Sequence, residues 1–133
     1  MDKRSIAWGA GILLVAVLLG AFGAHGLKAR LSAEALAQWH TGVEYQFIHG
    51  LGILLVVGLA PHVPARAARM IRNLFMGGIV CFSGSLFLLS TRELTGVLAI
   101  TPVLGPLTPL GGALFIAGWA ILLITALRPA DER

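Results

Sequence analysis

Charge is scarce in this sequence. Ten Lys and Arg and six Asp and Glu make up only 12% of its 133 residues, while 57% are hydrophobic. An ordinary soluble domain is about a quarter charged. So apolar a composition excludes a disordered chain, and so short a chain buries too little surface to hide it in water. Cysteine is nearly absent too. The one residue of this type, Cys81, lies inside an apolar run and forms no intrachain disulfide, so it reads as a small packing residue. There is no phosphate-binding loop, no zinc-ligand spacing, and no nucleophile with a base and an orienting partner. The two halves of the chain show no repeat, so the signature of a duplicated transporter is missing as well.

What is present is long apolar runs. Four stand out, at 6–24, 43–60, 73–90 and 110–127. Each is about 28 Å long as a helix, which matches a hydrocarbon core. Backbone in lipid must satisfy its own hydrogen bonds. The expected fold is therefore all-α: an integral membrane bundle of four transmembrane helices in one domain, 1–133. The first run resembles a signal peptide, with Lys3 and Arg4 ahead of an apolar core and Ala21 and Gly23 as small residues. It is read as a retained helix, because it continues to Ala24 and three more spans follow.

With four spans, both termini share a side. That side holds Lys3, Arg4, Arg66, Arg69, Arg72, Arg128 and Arg133; the other holds only Lys28, Arg30 and Arg92. The imbalance predicts that both termini are cytoplasmic. The net charge of +4 then reflects orientation in a membrane, and nucleic acid is not an expected partner. The run Arg66, Arg69, Arg72 reads as a topology anchor, with a lipid-headgroup or phosphate site as the alternative.

Small residues recur at helical spacing: Ala16, Gly20 and Ala24 in the first span, Gly77, Cys81 and Ser85 in the third, Gly111 and Gly118 in the fourth. They are expected to let helices approach closely, within one bundle or across a homo-oligomer seam. Ser32 is a helix cap with Glu34 in the first turn. No proline interrupts 33–60, which predicts a helix that either projects from the bilayer or bends near Gly42, with Trp39 at the interface. Between Thr91 and Pro109, the prolines Pro102, Pro106 and Pro109 argue against a regular helix. That apolar segment reads as a loop packed on the outer end of the bundle.

Polar residues concentrate in the outer halves: His25, Glu44, Tyr45, Gln46, His49, Ser85, Arg92 and Thr108. Tyr45 and His49 share a helical face, whereas Glu44 and His49 point about 140° apart. Glu44 either carries a proton or cation or sits at the headgroups beside His40 or Arg92. His25 and His49 either bind a metal or b-type haem or transfer protons, or they are hydrogen-bonding links between helices. No metal or cofactor is assigned.

Gly20-Ala21-Phe22-Gly23-Ala24-His25-Gly26-Leu27 resembles the glycine-rich His motif of domain-of-unknown-function family 423, the YgdD-like small bacterial membrane proteins. Trp39, Thr41, Tyr45-Gln46 and His49-Gly50-Leu51 resemble its second motif. Phe82-Ser83-Gly84-Ser85-Leu86 resembles the third, and Thr108-Pro109-Leu110-Gly111-Gly112 with Gly118-Trp119 the fourth. The resemblance implies a four-helix protein of the bacterial inner membrane, and it implies no activity, substrate or cofactor. Three readings stay open. The first is a structural or accessory protein packing against partner membrane proteins. The second is an oligomeric carrier of a small solute or proton. The third is a haem- or metal-binding membrane protein.

Overall fold

The structure, a computed structural model, describes residues 3–128, which contain helices and no strand. Arg133, placed above among the basic residues of one side, lies outside the described residues. Helix α1 (Lys3–Phe22) runs into a π-helical turn, Gly23–Leu27; α2 spans Ala33–Gly58. The third span is α3 (Ala65–Gly78), a π-helical segment (Ile79–Ser83) and α4 (Gly84–Ser90) in series. A short α5 (Arg92–Thr95) and a 3-10 turn (Val97–Ile100) lead into α6 (Thr101–Leu127). Four continuous helical stretches, Lys3–Leu27, Ala33–Gly58, Ala65–Ser90 and Val97–Leu127, are long and apolar enough to cross a membrane.

Local signals explain where α2 starts and how it runs. The Ser32 hydroxyl accepts the Ala35 amide at 3.1 Å, capping the helix. The helix then passes through Gly42 unbroken. Its 26 residues span about 39 Å in one helix, longer than the hydrocarbon core is thick. Trp39 is a core residue. It is buried with Leu27 and Val43, packs on Phe22 and Phe87, and donates its indole N–H to the Leu19 carbonyl at 2.9 Å.

The proline-rich connection corrects the loop expectation. From Thr101 onward it is helix, with Pro102 in the first turn and Pro106 and Pro109 inside. A proline at a helix start removes an amide that has no partner anyway. Pro106 and Pro109 leave the carbonyls of Pro102 and Gly105 without their helical donors. Both of those residues are exposed, so their carbonyls are not enclosed within the bundle.

Helix α2 is the hub. It packs antiparallel to α1, with Gly9 opposite Leu54, and antiparallel to the third span, with Gly42 against the Phe87 ring and Gly52 against Phe75. The third span in turn packs antiparallel on α6, Gly78 facing Phe115 and Gly111 facing Phe82. A core of Ile53, Val56, Val63, Ile71, Phe75, Ile79 and Phe115 fills the half of the bundle nearer Arg72. Leu18, Val80, Ile116 and Leu123 stand outside it, a distribution suited to surrounding lipid.

Candidate functional site

The polar side chains of the spans tie one helix to the next. Gln46 on α2, 4% exposed, donates Nε2–H to the Ile12 carbonyl of α1 at 3.0 Å. Ser83, fully buried, donates its hydroxyl to the Gly42 carbonyl of α2 at 2.7 Å. Ser85 bonds the Phe82 carbonyl at 2.9 Å and meets the Thr108 hydroxyl of α6 at 2.7 Å. The first of these bonds satisfies a carbonyl of the π-helical segment, where the regular ladder is interrupted.

His49 sits at the centre, 3% exposed. Its ring stacks on Phe115 with centroids 3.4 Å apart and planes 8° from parallel, and Phe75 meets it edge-on at 5.2 Å. Trp119 Nε1 lies 3.1 Å from His49 Nε2, and His49 Nδ1 lies 2.8 Å from the Tyr45 carbonyl oxygen. An indole only donates and a carbonyl only accepts. Nε2 is therefore the acceptor, the proton is on Nδ1, and the ring is neutral with both nitrogens engaged.

The structure separates the two histidines considered together as ligands. His25 lies on the exposed side of the π-helical turn, just beyond Gly23, which abuts Trp39. Trp39 precedes His49 by ten residues on α2, about 15 Å along the axis. Among the described residues no three His, Cys, Asp or Glu side chains cluster as metal ligands. His25→Ala should therefore leave stability within about 0.5 kcal/mol of the parent, as for an exposed site without such partners. Unfolding in mixed detergent and SDS measures this.

Glu44 and Arg92 do not pair either. Glu44 is exposed on α2. Arg92, half-buried, lines a small cavity of about 150 Å³ near Arg30, Glu34 and Glu93 at the end of the bundle. Tyr45 is 37% exposed and stacks on His49. Beside it a groove of about 390 Å³ opens sideways between α2 and α6, lined by Tyr45, Ile48, Gly112, Ile116 and Trp119.

The small residues divide by phase. Ala16 is fully buried, Gly20 faces Val43, and Ala24 falls outside on the π-helical turn. Gly77 faces Leu114, and Cys81 is half-buried. Gly111 and Gly118 meet Phe82 and Phe75. Sequence reasoning did not place Trp119 and Phe115 with His49. The available signal was a tryptophan in mid-span, whose N–H needs an acceptor when buried in an apolar layer.

Comparison with known proteins agrees with this architecture. Residues 19–112 match the family described as "Protein of unknown function (DUF423)". The UPF0382 membrane protein YwdK of Bacillus subtilis (strain 168) is 40% identical over 127 residues, covering 95% of this chain and 98% of its own. A UPF0382 membrane protein of Staphylococcus epidermidis is 42% identical over 126 residues, covering 95% and 97%. No solved structure matches. Four membrane-length helices, the family match over most of the chain and near full-length relatives place it together: this chain belongs to the DUF423 family of multi-pass membrane proteins.

Proposed function

We propose that this protein is a small structural or accessory component of the bacterial inner membrane, one four-helix domain with both termini cytoplasmic, and that its α2–α6 face seats a helix of a partner membrane protein. The observation that carries this reading is two polar groups at neighbouring exposed positions of α2, Tyr45 at the α2–α6 groove and Glu44 on the adjoining surface of the helix. Trp39 packs level with Leu19 and Gly23 near the end of α1, and Glu44 lies five residues further along α2, about 7 Å deeper. Glu44 makes no ion pair, and the Tyr45 hydroxyl no hydrogen bond, among the described residues. A carboxylate facing hydrocarbon is costly, and a helix bearing a basic or hydrogen-bonding side chain would satisfy both groups. The neighbouring groove has open space over Gly112, where an added side chain meets nothing within 4 Å.

The links within the bundle support the same reading against conduction. Gln46, Ser83, Ser85 and His49 each spend a polar group on a neighbouring helix. Co-purification in mild detergent tests the proposal. Glu44→Leu and Gly112→Ile should each keep the bundle folded and release the partner. A parent chain that is always alone and monodisperse would refute the proposal. A second copy in the groove would appear as a homo-oligomer dispersed by the same substitutions.

A further inference from the structure

The start of α3 makes its stretch richer in arginine than the other three of membrane length. Its sequence, Ala65-Arg66-Ala67-Ala68-Arg69-Met70-Ile71-Arg72, alternates cationic and apolar residues at helical spacing. Ile71 is fully buried in the core, whereas Arg66, Arg69 and Asn73 are exposed on the opposite face. Arg72 is directed inward, donating to the Ser5 hydroxyl at 3.0 Å and to the Asn73 side chain. Arg66 and Arg69 are three residues apart, so their side chains are neighbours on the helix surface.

An apolar groove opens on each side of that exposed face. One, of about 340 Å³, lies toward α1 and α2, is lined by Val57, Ala60 and Val63, and has Arg69 at its rim. The other, of about 390 Å³, lies toward α6, is lined by Met70, Ile121 and Ile124, and has Arg66 at its rim. Two adjacent cations between two apolar grooves match one ligand chemistry, a phosphate carrying two hydrocarbon chains. Among the described residues every acid, Glu34, Glu44 and Glu93, belongs to the opposite half of the bundle.

We infer that the start of α3 binds an anionic two-chain phospholipid, its phosphate held by Arg66 and Arg69 and one acyl chain lying in each groove. Arginine suits this role because its planar fork engages two phosphate oxygens at once. Burying each chain's methylene groups against the grooves adds affinity that a free anion lacks.

Native mass spectrometry of the whole protein in mild detergent tests the inference by titrating phosphatidylglycerol, phosphatidylcholine and inorganic phosphate separately. Phosphatidylglycerol should bind with saturation at one site. The double substitution Arg66→Gln, Arg69→Gln should weaken it about thirtyfold, from the attraction each basic side chain has for an anionic lipid. Ala60→Phe, at an exposed position of the first groove, should weaken phosphatidylglycerol while leaving the arginines in place. An unchanged melting temperature in phosphatidylcholine would show that both variants remain folded. Equal binding of phosphatidylcholine would overturn the headgroup assignment. Full competition by inorganic phosphate, or unaltered lipid binding by Ala60→Phe, would overturn the chain assignment.

Discussion

Gly111→Ala should destabilise the bundle by about 3 kcal/mol, the upper end of the range for overpacking a close-packed site. A Cβ at this position runs into the backbone nitrogen of Phe82 and lies 2.7 Å from the Phe82 Cβ. Most of the other tight glycines face the end of a side chain: at Gly77, for example, the neighbour is Leu114 Cδ1 at 3.3 Å, and a rotamer change relieves the contact. Backbone cannot retreat in that way. Phe82 also lies in the π-helical segment whose carbonyl Ser85 satisfies. Moving α6 outward would stretch the Ser85–Thr108 hydrogen bond and loosen Phe115 against Gly78. The next residue is the control. Gly112 faces open space, so Gly112→Ala should be neutral or stabilise by up to about 1 kcal/mol, the helix propensity difference. Unfolding in SDS and mild detergent, followed by circular dichroism, compares the two. A Gly111→Ala protein as stable as Gly112→Ala would show that the helices do not approach this closely.

His49→Ala should cost about 3 kcal/mol. The loss combines a cavity where an aromatic ring was stacked with interhelical polar contacts removed inside a membrane bundle. His49→Phe separates the two contributions. It retains a flat ring against Phe115 but leaves the Trp119 indole N–H without its acceptor and the Tyr45 carbonyl without this donor. Its expected cost is about 1 to 2 kcal/mol, the lower part of the range for an unsatisfied polar group, because Trp119 is partly exposed. His49→Ala should leave proton flux in proteoliposomes unchanged, as a helix link does and a conducting group does not. A loss of flux greater than the loss of folded protein would restore the transport reading.

How far the sequence reaches can be judged from particular residues. The spans and the Ser32 cap are legible because they depend on composition and on a local hydrogen bond three residues away. The divergence of Glu44 and His49 is legible from helical phase alone, and one is exposed while the other is buried. The helix through Pro106 and Pro109 is not legible, because the rule against internal proline assumes that the orphaned carbonyls have nowhere to turn. The His49–Trp119 pair spans seventy positions, and no local pattern encodes which helix faces which. The same limit applies to the glycines. Gly111 and Gly112 are indistinguishable as letters, and only the rotation of α6 about its axis decides which one touches Phe82.

The hub position of α2 bears on how the chain is made. Helix α1 packs chiefly on α2, joined by Trp39 to Leu19 and Gln46 to Ile12, and these bonds need nothing from the later helices. A nascent chain that has delivered only α1 and α2 to the bilayer can therefore close its first hairpin before α3 is synthesised. The third span and α6 form the second hairpin, and its docking brings Ser83 to Gly42 and Trp119 to His49. Biogenesis would then proceed as two hairpins in succession, with the contacts of His49 to Phe75, Phe115 and Trp119 the last to form.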